Sequence, residues 1–558
     1  MAYFLKQAKR KGRIYLSIVE SFYHPDKKET AHKTYKSLSS VDSWIEKGIE
    51  NPIAHFQKIV DELNEAKAED KVKKISKETP EIRLGYFPIK GILEKLNAQK
   101  YVNFFKMVTD FKFDLYELLA ALVYARVVHP CSKNRTFHDV LPSLGIPYDF
   151  SYDQLLDGIS FFGENYAKFV EIFTVQTKAK YGINTDTTYF DGTNFYFEID
   201  REDDFRRKGP SKEKRTDPIV GLGLLLDRNQ LPISMQMYPG NASEKPVLRD
   251  LINKLKHQNI IVGRTIHVAD KGINCANNIA FTRKNGDGYI FSKAVKNIEE
   301  TERTWMLLDN DYTNIYDSNG KLLYKFKSCI DKYPYTIEYE GKEVKIYLKE
   351  KRMAVYNSSL AEKQRYEIKK LAEKAVNLVV SKAKKSEYGE AAKYIEIVSS
   401  DGSKPKVSVY DKKINQDLAI AGYNLFVTSE LNMPDQEIYN IYHNLWRIEE
   451  SFKIMKSDLD ARPVFLQKEN SIKGHFLICY IAVLLERILQ FKVLKNEYSA
   501  SEIFEFFREF RLVKSDIKYI NMSRDTTFIN ALAQKFNLPL TNYYLSEQQL
   551  KGIMNYKL

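Results

Sequence analysis

TDTTYFDGTNFYFEID, Thr185–Asp200, is the stretch on which the reading of this chain turns. Thr, Tyr and Phe dominate it, and such side chains pack well on a pleated surface, so the stretch predicts a strand. One carboxylate, Asp191, sits mid-strand beside Gly192, an expensive place for a bare charge. Downstream, PIVGLGLLLDRNQLPISMQMYPG (Pro218–Gly240) reads as two more strands joined at DRNQ. KPVLRDLINKLKHQ (Lys245–Gln258) is an amphipathic helix, and IIVGRTIHVAD (Ile260–Asp270) an almost wholly apolar and therefore central strand. A helix from about Asn274 and the strand GYIFSKAV (Gly288–Val295) follow. Three antiparallel strands followed by strand–helix alternation predict a mixed α/β layer fold.

Upstream, residues 1–40 read as short strands, with GRIYLSIVESFYH alternating, and 41–180 as mostly helix. VNFFKMVTDFKFDLYELLAALVYARVV has helical spacing and stops at His129-Pro130. From about 297 to 422, TNIYDSNGKLLYKFKS and YTIEYEGKEVKIYLKE read as hairpins around SNG and EGK, with the charged helix from Leu360 and further strands beyond. GYNLFVTSE (Gly422–Glu430) returns to strand. HFLICYIAVLLERILQF (His475–Phe491) is interrupted by Glu486 and Arg487 and too short to span a bilayer, so it predicts a buried helix and no membrane partner. The 558 residues carry a net charge of +13, which points to a polyanionic partner. Four scattered cysteines fit neither a disulfide framework nor a zinc cluster and suit a reducing cytoplasm. MAYFLKQAKRKGR lacks the apolar core of a signal peptide.

YHNLWRIEESFKIMK, Tyr442–Lys456, reads as one helix carrying two adjacent glutamates. At about 100° per residue, Ile441, Leu445, Ile448, Phe452, Met455 and Leu459 form an apolar face. Tyr442, Trp446, Lys453 and Lys456 share the stripe of Glu449, while Glu450 points further out. The plain reading is an i,i+4 pair between Glu449 and Lys453. It leaves the shared stripe unexplained. A metal-binding carboxylate beside phosphate-binding lysines and stacking aromatics accounts for it. Phosphodiester chemistry on divalent metal needs further acidic oxygens from other elements. Asp191 and Asp270, the latter ending RTIHVAD at a Lys-Gly turn, are the candidates.

On these residues the sequence resembles the DDE transposases of the insertion-sequence-four superfamily, in the branch named for insertion sequence sixteen-thirty-four. The superfamily's helix signature is Tyr, two residues, Arg, three residues, Glu, six residues, Lys. Tyr442, Glu449 and Lys456 match in register; the Arg position holds Leu445. WRIEE, YFDGTNFYFE, ADKGINCANN, GNASEK and ARPVF…KGHFLICYIAVLLERI also resemble that branch, over roughly 183–490.

The resemblance implies a ribonuclease-H-like mixed-sheet core interrupted by a mostly β insertion domain, with a largely helical N-terminal region. The boundaries are 1–182 for DNA binding and dimerisation, 183–296 for the first part of the core and 297–422 for the insertion. The second part spans 423–495, and a C-terminal helical region 496–558. It implies that Asp191, Asp270 and Glu449 hold two Mg²⁺ ions, with Mn²⁺ able to substitute. Tyr442, Trp446, Lys453 and Lys456 would contact DNA near the transposon end. RRKGPSKEKR (Arg206–Arg215) is a basic loop near the catalytic sheet, so Arg206, Arg207, Lys208 and Lys212 are expected on DNA phosphates. The partners implied are double-stranded DNA, as terminal inverted repeats and target, and a second copy of the chain in a synaptic complex. The location implied is the nucleoid-bearing cytoplasm. In that superfamily the Arg helps hold DNA near a flipped base during hairpin formation, so with Leu445 in its place the expectation is strand cleavage and joining, with the hairpin intermediate left open. The rival readings are a related nuclease that cuts without joining and a non-catalytic DNA-binding relative.

Overall fold

The computed structural model describes residues 2–24, 29–78, 81–213, 215–381, 384–398, 406–515 and 518–558. The chain forms two compact units, one of Met1–Ile82 with Val513–Ile520, the other of Arg83–Leu512 with Asn521–Leu558. In the first, strands Tyr3–Arg10, Arg13–His24 and Glu29–Ser40 form an antiparallel sheet. The first hairpin turns at Lys11 (φ 47°) and Gly12 (φ 79°), the two positive values that a tight two-residue turn requires. Alternation along Arg13–His24 buries Leu16 and Ile18 against Phe56 and Val60 of the helix Pro52–Glu78.

The second unit begins with helices. Val102–Val128 is not one helix. Asp114 accepts hydrogen bonds from the Tyr116 and Glu117 amides (2.8 and 2.9 Å) and so starts a new one, α1 (Leu115–Val128), which ends at His129 as expected. α2 (Tyr152–Glu164) and α3 (Tyr166–Tyr181) follow. Then comes the sheet: β1 (Thr187–Tyr196), β2 (Ile219–Leu226), β3 (Pro232–Pro239), α4 (Lys245–His257), β4 (Ile266–Ala269), α5 (Ala276–Lys284) and β5 (Gly288–Lys293). β4 is shorter than the apolar run Ile260–Asp270. Asn259 (φ 54°) and Gly263 (φ 77°) break the extended chain, and Ile260 and Ile261 pack into the core instead. β6 (Thr313–Tyr316), β7 (Leu322–Tyr339) and β8 (Lys342–Asn357) form the expected hairpins, followed by α6 (Ser358–Val380) and β9 (Tyr423–Thr428).

All nine strands join one mixed sheet in the order β6-β7-β8-β9-β5-β4-β1-β2-β3. β4 lies parallel to both β1 and β5; every other neighbouring pair is antiparallel. The long hairpin of the 297–422 stretch thus extends the central sheet through β9. α7 (Asp435–His443), α8 (Trp446–Lys453) and α9 (Glu469–Ile488) come next. The apolar run is buried as expected: in α9 every residue from Gly474 to Ile488 is covered, Glu486 and Arg487 included. No helix among the described residues is long and apolar enough to cross a membrane.

The stretch Tyr442–Lys456 is not one regular helix. Leu445, Arg447 and Ile448 bond three residues back rather than four (3.0, 3.1 and 3.1 Å), which tightens the chain between α7 and α8. Beyond α8 the turn widens, and the Leu459 amide reaches the Ile454 carbonyl at 2.8 Å. These two phase changes invalidate a single 100° wheel. Glu450 and Ile454, expected to point outward, are half-buried and buried, and Glu449 is exposed.

Candidate active site

Asp191 and Asp270 are brought together by sheet register. β1 and β4 run parallel with Phe190 opposite Ala269, so the next residues on each strand are the two aspartates, side by side where β4 ends. That edge is where open α/β sheets expose their functional residues. On β1, Asp191 is the half-buried residue in a run that is otherwise buried from Thr187 to Phe195. Its Oδ1 accepts from the Gly192 amide (2.8 Å) and pairs with Lys212 Nζ at 3.3 Å. Burial lifts its pKa to about 6, opposed by Lys212 and the Gly192 amide and reinforced by Glu244.

Asp270 Oδ1 accepts from Ser292 Oγ of β5 at 2.7 Å and from Tyr442 OH of α7 at 3.1 Å. Tyr442 packs on Phe426 of β9, ring centroids 4.1 Å apart. Burial, then the charge of Asp270, holds the Tyr442 phenol well above its ordinary range, so it stays a donor.

The basic loop is fastened onto β1. Asn194 Nδ2 donates to the Pro210 carbonyl (3.1 Å) and its Oδ1 accepts from the Lys212 amide (3.3 Å). This clip delivers the Lys212 ammonium to Asp191 Oδ1, the Gly192 carbonyl and, at 3.9 Å, Glu244 Oε2. Of the other expected DNA contacts in the loop, Arg206 pairs with Asp203 (2.6 Å) and Arg207 with Asp204 (2.9 Å). The Lys208 amide donates to Glu202. Glu213, at the loop's far side, accepts from Lys456 (3.2 Å) and Arg462. Partial burial raises the Glu213 carboxyl, but these two cations outweigh it and hold it below its ordinary range.

α8 packs against β1, the strand of Asp191. Glu449 and Lys453 on it are exposed, and Glu449 forms no hydrogen bond or ion pair among the described residues. Trp446 is exposed with the Arg447 guanidinium 3.9 Å over its ring. Glu450 is committed elsewhere: it pairs with Arg447 (3.2 Å) and the fully buried Arg487 (3.0 Å). Leu445, at the Arg position of the helix signature that the sequence resembles, is buried in the core. Trp305 packs on the Ile298–Met306 cluster, and His267 is a core residue between Thr188 (2.7 Å) and Asp287 (3.3 Å).

Glu244, absent from the candidates drawn from sequence, belongs to this site. It ends the GNASE stretch just before α4. A Cβ on Gly192 would lie 2.6 Å from its Oε2, and one on Gly272 would lie 2.7 Å from its Oε1. Glycine at both positions lets this carboxylate enter between the segments that carry Asp191 and Asp270. The signal in the sequence was GNASEK, whose acid was not separated from its turn.

Among the described residues no three His, Cys, Asp or Glu side chains already converge as a metal site. The donor chemistry nonetheless suits a hard cation: carboxylate oxygens and no soft ligands. The Lys212 ammonium, seated between Asp191, the Gly192 carbonyl and Glu244, shows that a cation fits there.

Residues 185–485, more than half of the chain, match the family described as the transposase DDE domain. A search of curated proteins gives no match. Among solved structures, the piggyBac transposase synaptic complex with hairpin DNA is similar at a TM-score of 0.37 and 10% identity, over 86% of each chain.

Proposed function

Because this chain belongs to the transposase DDE domain family, we propose that it is an insertion-sequence transposase that cleaves DNA at transposon ends and joins the ends to target DNA. The observation that carries the reading is the pair Asp191 and Asp270, set in register on neighbouring parallel strands inside the matched span. The strand order β3-β2-β1-β4-β5 supports a ribonuclease-H-like core of 183–296 and 423–495, interrupted by 297–422.

Transposases of this kind generally use divalent metal. Two Mg²⁺ ions, or Mn²⁺ in their place, would supply activation of the attacking oxygen and neutralisation of the leaving one. Asp191, Asp270 and the exposed Glu449 are the residues proposed to hold them, with Glu244 close enough to share the task. Ser292 and Tyr442 donate to the same Asp270 oxygen and fix its orientation. Lys212, seated between Asp191, the Gly192 carbonyl and Glu244, joins Lys453, Lys456, Trp446, Arg206, Arg207 and Lys208 as a contact for the DNA strand. Residues 1–182 recognise the terminal inverted repeats, and two ends require two copies of the chain.

The test is strand cleavage and joining on duplex DNA carrying the element's own ends, with Mg²⁺, for wild type and Glu449→Gln. Cutting and joining by wild type, with Glu449→Gln binding but not cutting, is the expected result. Normal cutting by Glu449→Gln would move the third carboxylate to Glu244. Binding without any cutting in Mg²⁺ or Mn²⁺ would replace the enzyme with a DNA-binding relative.

A further inference from the structure

A second cationic centre lies behind the active face. A cavity of about 320 Å³ is walled by Arg126, Lys133, Tyr152, Asp460, Phe465 and His475. Arg126 is on α1, Lys133 follows the His129-Pro130 stop, and His475 is on α9. Arg126, Lys133 and His475 are 5%, 8% and 5% exposed. Their hydrogen bonds are to neutral groups. Arg126 Nη1 donates to the Leu459 carbonyl (3.3 Å), Lys133 Nζ meets His475 Nδ1 (3.4 Å), and His475 Nε2 meets the Ala461 carbonyl (3.2 Å). The last contact makes Nε2 the protonated nitrogen and leaves Nδ1 to accept from lysine. Burial, then the two neighbouring cations, holds His475 well below its ordinary range, so it brings no charge of its own.

Neither Arg126 nor Lys133 has an ion-pair partner among the described residues. Asp460, the acid of the wall, is exposed and pairs with neither. Burial, then the neighbouring Arg126 charge, holds the Lys133 ammonium well below its ordinary range, so a buried guanidinium and a buried amine face the cavity without counter-charge, and an anion entering there would favour the charged amine. Planar Arg and compact Lys together match the oxygens of a phosphate.

The cavity is also tied to the catalytic face. Its wall from Asp460 onward follows Lys456 in the chain, and both Lys456 and Arg462 of that stretch reach Glu213 of the basic loop. Phe465 beside it is 76% exposed, an aromatic face ready for a sugar or base. We propose that this cavity is a binding site for one phosphate of the DNA strand leaving the active site, held by Arg126 and Lys133. The proposal rests on the reading of the chain as DNA-binding.

The test uses the full chain and a fluorescent duplex oligonucleotide, titrated over a range of NaCl concentrations, for wild type, Lys133→Met and Arg126→Met. Loss of one phosphate contact makes the slope of log K against log[salt] shallower by about 0.9. Each variant is expected to show that change and weaker binding, while Lys133→Arg keeps the wild-type slope. Melting with inorganic phosphate against matched chloride is the second arm: phosphate stabilises wild type and not Lys133→Met. Lys133→Met in chloride should melt no lower than wild type, because a buried amine without counter-charge has gone, which certifies the fold. Equal slopes for wild type and both Met variants would overturn the proposal, even if free phosphate binds. A wild-type chain that binds no duplex would overturn both this proposal and the transposition reading.

Discussion

Asp191 and Asp270 sit on a ladder, whereas Glu449 and Glu450 sit on a helix whose phase is set from outside. The two aspartates are neighbours because Phe190 pairs with Ala269 and strand period is two; no side-chain contact is needed to aim them. The two glutamates are adjacent in sequence yet have opposite fates. Glu450 is captured by buried Arg487 on α9, and this turns Glu449 outward. A sheet edge sets its acids by backbone geometry, and a helix aims one only through the packing of its other face.

The sharpest way to break this comparison is at the ladder. Asp191→Asn or Asp270→Asn keeps the shape of the edge and removes the charge. Cleavage at transposon ends is expected to fall by roughly 10³-fold or more in either variant, with duplex binding retained. Single-turnover cleavage beside a binding isotherm checks it. A loss under tenfold in either variant would mean that the edge is not the site.

The helix gives the next largest effect, now in stability. Glu450→Ala leaves fully buried Arg487 with neighbouring Glu486 at 3.7 Å and no better carboxylate, so unfolding free energy is expected to drop by about 3 kcal/mol. Glu449→Gln, on an exposed side chain, is expected to change it by less than about 0.5 kcal/mol while abolishing cleavage. Urea unfolding of both variants separates the roles. Equal destabilisation would mean that α8 is not anchored by Glu450.

This contrast also explains what the sequence could and could not tell. Asp191 could be placed mid-strand from TYFDGTNFYF, and the sheet follows from the strand texture around it. Tyr442 was expected on DNA, whereas its hydroxyl donates to Asp270 from α7, a contact the sequence did not announce. The phase of α8 was not legible, since three-residue bonds at Leu445–Ile448 and a wide turn at Ile454 depend on contacts with α9 and β1. Glu244 was hidden because its place depends on two glycines, Gly192 and Gly272, far apart in sequence. The apolar run of α9 announced burial but not that its Arg487 would select between two glutamates.

Leu445 sharpens the comparison further. The helix signature that the sequence resembles places Arg there, but here the position is 7% exposed, inside the tightened turn between α7 and α8. Leu445→Arg therefore buries a charge rather than restoring a DNA contact. A loss of about 2 kcal/mol in stability, with no gain in DNA affinity, is expected from unfolding and binding measurements. Tighter DNA binding at unchanged stability would show that the turn opens to solvent.

A further effect lies at the anchor itself and depends on pH. Both Glu486 carboxylate oxygens are buried without a hydrogen-bond partner among the described residues. Burial lifts this carboxyl from 4.5 to about 7, against the pull of Arg487 and with Glu450 and Asp458 adding to the rise. A carboxyl raised in the folded chain binds its proton more tightly there than in the unfolded chain. Its ionisation therefore lowers stability as pH climbs from about 4.5 to about 7, and the loss stays constant above that. Glu486→Gln cannot ionise and escapes the loss. Urea unfolding at pH 5 and pH 8 should show the variant gaining on wild type at the higher pH and little or nothing at the lower. A gap of the same size at both values would mean that Glu486 is already ionised at pH 5, sharing Arg487 with Glu450. The phase of α8 would then rest on two carboxylates rather than one.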